Sequence, residues 1–239
     1  MQQGENLFFS LIIPAHNEEK YIVSTLEHIQ NLNYPKNKFE VIVVENGSKD
    51  DTLSVSKKSA SENIKIYSLE QNGVSRAKNY GIQMISPISE WAIILDADTT
   101  LQKNFLTSIN NFLSKKTSQK YSIGTTYVRP IPYSLKARLW FSFYDIGHRI
   151  TKASYAIQLV KVEVLKKFVF NEKLSIGEDL ELIKFARKFG RFFVFKTKDV
   201  STSVRRFEKG GWVKTFFVWT SVALLPSWVK KRLTYEVIR

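Results

Sequence analysis

Four short aliphatic and β-branched runs, at residues 7–13, 41–44, 64–69 and 91–95, recur along the first hundred positions, and polar breakers with helical patterns separate them. A strand buried on both faces reads as an unbroken apolar run, and parallel neighbours need a helical crossover between them. The alternation therefore predicts a parallel sheet with helices on both faces. After the first run, Pro14-Ala15-His16-Asn17-Glu18-Glu19 supplies a turn and an acidic first helical turn, with Leu26, Ile29 and Leu32 following at helical spacing. Asp50-Asp51 opens a second predicted helix reaching about Glu62, and Asn72-Gly73 precedes a third over 75–85.

Beyond Leu101 the alternation weakens. The pattern predicts a helix over 103–114, a strand over 121–128 and an aromatic helix over 133–151. A short strand at 156–160, helices at 162–168 and 178–189 and a strand at 192–195 follow. No internal repeat, low-complexity tract or long linker interrupts the chain. The reading is one domain over 1–210, with a first half to residue 100 and a second half over 101–210, followed by a separate segment over 211–239. With 239 residues, 44% of them hydrophobic, the chain can bury a substantial core.

Open parallel sheets bind ligands at the carboxyl ends of their strands. The polar clusters at 16–19, 45–48 and 96–98 all follow strands, so they converge on one rim. The last cluster ends the run Ile93-Ile94-Leu95-Asp96-Ala97-Asp98 in two carboxylates, a pair able to hold a divalent cation against a phosphate. A second acid pair, Glu178-Asp179, lies where a base could sit. Taken singly, each has a bland alternative: Asp is common in solvated turns, and acids are favoured in a first helical turn.

Composition narrows the chemistry. The absence of cysteine excludes disulfides, thiolate metal sites and thiol catalysis, leaving oxygen ligands or the three histidines for any metal. A formal charge of +14 implies an anionic partner. No arginine-rich arm, zinc-finger spacing or aromatic-basic sheet signature points to nucleic acid; sugar phosphates or an anionic membrane fit better. Met1 to Asn6 lacks the pattern of a secretory signal, which suggests a cytoplasmic chain. Residues 215–229 carry no charge, are interrupted by Pro226 and lie between Lys214 and Lys230-Lys231-Arg232. A spanning helix needs ~20 apolar residues, so this stretch suits an amphipathic, peripheral position on the inner membrane face.

Five ordered motifs together resemble glycosyltransferase family 2, the inverting, nucleotide-sugar-dependent enzymes of GT-A fold. Ser10-Leu11-Ile12-Ile13-Pro14-Ala15-His16-Asn17-Glu18-Glu19 is similar to the family's opening strand and loop. Val43-Val44-Glu45-Asn46-Gly47-Ser48-Lys49-Asp50-Asp51-Thr52 and Asn72-Gly73-Val74-Ser75-Arg76-Ala77-Lys78-Asn79-Tyr80-Gly81 are similar to the next two nucleotide loops. Asp96-Ala97-Asp98 resembles the metal motif, and Gly177-Glu178-Asp179-Leu180-Glu181-Leu182 the segment carrying the base. Two departures are visible. Glu45 stands where the family usually has Asp, and the glycine-rich stretch before the base segment is replaced by residues 156–160 and Phe168-Val169-Phe170.

The resemblance implies an α/β fold with a mixed, mostly parallel sheet flanked by helices. It implies transfer of a sugar from a UDP- or GDP-sugar to a lipid-linked or saccharide acceptor, with Mg2+ or Mn2+ as cofactor. Asp98 would ligate the metal directly, and Asp96 would reach ribose and a metal-bound water. Asp179 would be the base, with its ionised form favoured at a helix start, and Glu178 would lie beside it on the substrate. Ala15 through its backbone, Glu18, Glu45 and Arg76 would contact the nucleotide.

Residues 203–212 resemble a mobile loop that closes over the diphosphate, with Arg206 and Trp212 as its contacts. His16 could neighbour the diphosphate or hold the loop, and the aromatics of 133–144 could form an acceptor wall, a lipid-facing surface or core. Rival readings are polyprenyl-phosphate sugar transfer and a non-catalytic nucleotide-sugar sensor or membrane scaffold. Sugar-1-phosphate nucleotidyltransfer would need a glycine-rich loop after the first strand, and residues 14–18 contain no glycine.

Overall fold

The computed structural model describes residues 6–154, 156–174 and 177–215. The four apolar runs form β1 (Phe9–Ala15), β2 (Phe39–Asn46), β3 (Ile64–Leu69) and β4 (Trp91–Leu95). Between them lie α1 (Ile22–Gln30), α2 (Thr52–Lys57) and α3 (Val74–Gln83). The chain continues through β5 (Thr99–Leu101), α4 (Phe105–Leu113), β6 (Tyr121–Thr126), β7 (Arg129–Ile131) and α5 (Leu135–Thr151). Then come β8 (Ile157–Lys161), α6 (Val162–Leu165), α7 (Glu178–Ala186), β9 (Arg191–Phe195), β10 (Val200–Ser203) and α8 (Arg205–Gly210).

A seven-stranded sheet runs in the order β3-β2-β1-β4-β8-β6-β9. Strands β3, β2, β1 and β4 are mutually parallel, β8 enters antiparallel between β4 and β6, and β9 runs parallel to β6. The sheet is thus mixed but mostly parallel. It draws strands from both sides of residue 100, so the two expected halves share one continuous sheet.

The apolar runs split by period two between its faces. Leu11, Ile13, Val41, Val43, Ile93 and Leu95 pack with Leu26 and Ile29 of α1 and Phe105 and Ile109 of α4. Ile12, Ile42, Val44, Ala92 and Ile94 pack with Ala77 and Ile82 of α3 and Leu182 and Ile183 of α7.

Several expectations need correction. The helix expected over 50–62 is only Thr52–Lys57, since the chain then tightens into turns in which Ser59 N–H donates to Ser56 O and Ala60 N–H to Lys57 O. A second sheet, ordered β5-β10-β7, has strands too short and too polar to show an apolar period. Residues 203–212, expected as a mobile loop, comprise the end of β10 and then α8, with Gly211 past its end at φ 79°. Trp212 and Thr215 of the expected separate segment pack on the domain, since Trp212 stacks on Phe207 at 5.1 Å and Thr215 is buried. Residues 216–239, with the expected amphipathic stretch and its basic end, lie outside the described residues. Among the described residues, no helix is long and apolar enough to cross a membrane.

Gly47, which turns the chain after β2, has φ 66°, and a Cβ there would meet Glu70 O at 2.8 Å and Asn72 N at 2.9 Å. Both neighbours are backbone atoms and cannot swing aside. A left-handed residue with a side chain costs about 1–3 kcal/mol, so Gly47→Ala is expected to lower the melting temperature by roughly 4–10 °C, read by thermal unfolding.

Candidate active site

The loops after β1 and β2 are sewn together at the carboxyl rim. Asn17 N–H donates to Ser48 Oγ at 3.0 Å, and Lys49 N–H donates back to Asn17 Oδ1 at 2.8 Å. Glu18 N–H donates to Thr52 Oγ1 at 2.7 Å, and Asp51 N–H to Glu19 Oε2 at 3.0 Å. His16 holds this seam as well: Nδ1 donates to Asn46 O at 2.7 Å, and Nε2 accepts from Asn17 Nδ2 at 3.2 Å. Of the two roles left open for His16, its geometry is that of a loop brace. The Asn46 amide, oriented to satisfy both neighbours, donates to Ala15 O at 2.6 Å and accepts from Gly73 N–H at 2.8 Å. The ends of β1 and β2 and the start of α3 are thereby fixed to one another.

Glu45 is buried, and both its oxygens accept within this rim, from Ser48 N–H and from the Ser68 hydroxyl, each at 2.6 Å. The longer side chain found in place of the family's Asp therefore shapes the loop. Arg76 is directed to the outside of α3, where its Nε meets Glu172 at 3.1 Å and its Nη1 donates to Gln71 at 2.6 Å.

β4 ends in a tight turn that presents Asp96 and Asp98. Asp96 O accepts from Thr99 N–H at 3.0 Å, and Ala97 O accepts from the Thr25 hydroxyl of α1 at 2.7 Å. Asp98 Oδ1 has a long contact with the Thr202 hydroxyl, 3.3 Å, and Oδ2 meets Arg205 Nε at 2.9 Å. The same guanidinium donates through Nη2 to Glu18 Oε1 at 2.6 Å and lies 4.4 Å from the centre of the Tyr21 ring. Burial pushes the Asp98 carboxyl upward, the nearby charge of Asp96 adds to that, and Arg205 and Arg206 oppose it.

The second acid pair is joined to α3. Lys78 is buried in the helix face that packs on the sheet, and its ammonium donates to Glu178 Oε1 at 2.9 Å and Asp179 Oδ1 at 2.7 Å. It also lies 5.2 Å from the Phe170 ring centre. β8 supports the same corner, where Gln158 Nε2 donates to Asp179 O at 3.2 Å. Lys78 holds Glu178 well below the usual carboxylate range despite its burial. Asp179 goes the other way: loss of water pushes it to about 6, with Lys78 opposing and the charges of Glu178 and Asp96 assisting. Its side chain keeps 33% of its surface open. The expected lowering by the helix start is therefore overridden by desolvation.

The segment entering β8 links the two acid pairs: Asp96 N–H donates to Ala156 O at 2.9 Å, and Gln158 of β8 donates to Asp179 O at 3.2 Å. Asp96 acts on both Asp98 and Asp179, while Arg206 acts on both Asp98 and Glu178. Asp96 and Asp98 thus lie toward Glu178 and Asp179, and Glu18 joins Asp98 through Arg205. Trp212 turns instead to an aromatic stack with Phe207 and lies edge-on to Trp140 at 5.8 Å. Arg205 and Lys78, neither of them among the residues expected at the site, carry the two buried ion-pair clusters.

Among the described residues, no three His, Asp or Glu side chains form a cage able to hold a metal alone. A Mg2+ or Mn2+ ion shared with a diphosphate needs only one or two carboxylates. Asp98 with Asp96 meets that requirement, so the donor set fits such an ion.

Comparison with known proteins agrees with the fold. The family model for glycosyl transferase family 2 matches residues 10–167. Poly(ribitol-phosphate) β-N-acetylglucosaminyltransferase TarS of Staphylococcus aureus is 28% identical over 176 residues, covering 72% of this chain and 31% of that protein. A dolichyl N-acetyl-α-D-glucosaminyl phosphate 3-β-D-2,3-diacetamido-2,3-dideoxy-β-D-glucuronosyltransferase of Methanococcus voltae is 40% identical over 103 residues, covering 41% of this chain and 32% of that protein. The chain spans about a third of the length of these two relatives.

The crystal structure of S. aureus TarS in complex with UDP-GlcNAc superposes with a TM-score of 0.69 at 22% identity, over 83% of this chain and 59% of that one. Mannosyltransferase PcManGT from Pyrobaculum calidifontis, in complex with GDP-Man and Mn2+, superposes with 0.66 at 19% identity, over 95% of this chain and 68% of that one. These two likenesses concern the fold.

Proposed function

Because the chain belongs to glycosyl transferase family 2, we propose that it moves a sugar, with inversion, from a nucleoside diphosphate donor to a hydroxyl of a lipid-linked or saccharide acceptor. The observation that carries this reading is that two acid pairs far apart in the sequence are linked at β8, where Asp96 N–H donates to Ala156 O and Gln158 donates to Asp179 O. A single displacement needs charge stabilisation at the departing diphosphate and a base at the acceptor, on opposite sides of the sugar. The domain over 1–210 supplies both. Names among the relatives, a poly(ribitol-phosphate) transferase and a dolichyl-phosphate-linked sugar transferase, support an acceptor of the cell envelope.

In this reading Asp98, backed by Asp96, holds Mg2+ or Mn2+, which when bound neutralises charge on the departing oxygens. Arg206 contributes a guanidinium to the diphosphate oxygens, for which its fork is suited. Glu18, Glu45 and the carbonyl of Ala15 set the shape of the nucleotide loops, and Arg76 closes their outer edge. Trp212 supports Arg206 through the packing of α8 on α5. Asp179 accepts the acceptor hydroxyl proton, and Glu178, held by Lys78, fixes its place. The basic chain, with its uncharged stretch over 215–229, fits residence on the anionic inner membrane face, where a lipid-linked acceptor is presented.

The test is ligand-dependent stabilisation, since a ligand bound only to the folded state raises the melting temperature. UDP- or GDP-sugars with Mn2+ are expected to raise it by several degrees at about 100 times Kd, and Asp98→Ala to remove the metal-dependent part. If no nucleotide sugar shifts the melting and none is turned over with either metal, the reading fails.

A further inference from the structure

We propose that Arg205 is a resident counter-cation of the carboxylate cluster, so that a divalent cation is held at Asp98 only together with a nucleoside diphosphate. This rests on the assignment of Asp98 as metal ligand made above.

Three side chains from distant parts of the sequence meet here almost out of water: Arg205 is 10% exposed, Glu18 8% and Asp98 10%. Buried carboxylates require a compensating charge, and removal of one partner from such a cluster is strongly unfavourable. Arg205 meets that requirement with two geometrically separate donors, Nη2 to Glu18 at 2.6 Å and Nε to Asp98 at 2.9 Å. The Tyr21 ring lies 4.4 Å from the guanidinium carbon, which confines the group further. A planar fork, permanently charged, is suited to this double attachment, whereas an ammonium is a point charge.

The consequence is a sign balance. A bare divalent ion approaching Asp98 must compete with a guanidinium already on Oδ2, and the carboxylates of Glu18, Asp96 and Asp98 are so far offset by Arg205 and Arg206 that little negative charge is left for it. A diphosphate arriving with the ion supplies the negative charge that is lacking. Asp98 Oδ1, whose contact with Thr202 is the long one at 3.3 Å, is the oxygen left for the ion. Glu18 anchors the guanidinium whether or not the Asp98 contact persists. Because Arg205 begins α8 and Arg206 follows it, the same helix carries the charge that resists the bare ion and the charge that receives the diphosphate.

Mn2+ binding to the full chain, followed by the electron paramagnetic resonance signal of free Mn2+, decides the matter. Wild type is expected to bind Mn2+ alone at least about tenfold more weakly than Mn2+ with UDP or GDP. Arg205→Gln is expected to gain about tenfold for Mn2+ alone, and Mn2+ alone is expected to raise its melting temperature. Both gains are expected to vanish in Arg205→Gln with Asp98→Asn.

Arg205→Lys keeps the charge and is expected to stay weak for the bare ion. Wild type that binds bare Mn2+ as tightly as the nucleotide complex overturns the proposal, even where no variant folds. So does an Arg205→Gln protein without the gain, or an Arg205→Lys protein that matches it. Failure of wild type to bind Mn2+ with either nucleotide overturns the donor reading instead, while the bare-ion comparison still tests the role of Arg205.

Discussion

Asp179→Asn is expected to lower kcat by about 10²–10⁴-fold while leaving the donor-induced rise in melting temperature nearly unchanged. Asparagine keeps the size of the side chain and can still accept from Lys78 through its carbonyl oxygen, but it cannot take a proton from an attacking hydroxyl. Binding and chemistry therefore separate in this variant, which steady-state kinetics with a thermal-shift control would show. A loss below about tenfold would mean that the attacking oxygen needs no strong base, as for a phosphate acceptor, and would favour the polyprenyl-phosphate rival over a hydroxyl acceptor. Wild type adds an independent mark. Asp179 must be ionised to act, and burial lifts it to about 6, so kcat/KM should fall as pH drops through about 6 and level above it.

The fold was legible because its first half obeys simple periods. Runs such as Val41-Ile42-Val43-Val44 carry no polar position, which only a strand covered on both faces tolerates, and each is followed by a polar turn at the rim. The second sheet was not legible. Val200-Ser201-Thr202-Ser203 has one aliphatic residue, and it is held by pairing with β5 and β7 rather than by its own apolar face.

The site divides in the same way. Asp96, Asp98 and Asp179 announce themselves as acids placed at the end of a strand or the start of a helix. Lys78 left a weaker signal: it falls in the stripe Val74, Ala77, Lys78, Gly81, Ile82 at helical spacing, where a lysine is foreign unless an acid meets it. Arg205 left none, since its partner Glu18 is 187 positions away in the chain. An arginine beside another arginine gives no indication of which one turns inward.

Lys78→Met is expected to be the most damaging single change outside the acids themselves. The substitution keeps an unbranched chain of similar reach over Phe170 and removes only the ammonium that joins α3 to α7. Breaking a buried pair by deleting one partner costs about 3–5 kcal/mol because the other charge stays buried; here two carboxylates are left facing each other. That corresponds to a melting temperature lower by roughly 10 °C or more at neutral pH.

The pH dependence carries the sign. In wild type Lys78 pulls both Glu178 and Asp179 downward, so without it both acids bind protons more tightly in the folded state than in the unfolded chain. A native state that binds more protons loses stability as pH rises. The variant should therefore be most stable near pH 5 and weaken through pH 7, beyond the point near 6 where the wild-type Asp179 contribution levels off. Its acid limb in kcat/KM should move upward in step, because the base now needs a higher pH to ionise. Melting curves and rates measured from pH 5 to 9 test both shifts together. A variant equally stable at both ends, with its limb still near 6, would mean that Lys78 sets neither the charge of Asp179 nor the join between the donor and acceptor sides of the cleft.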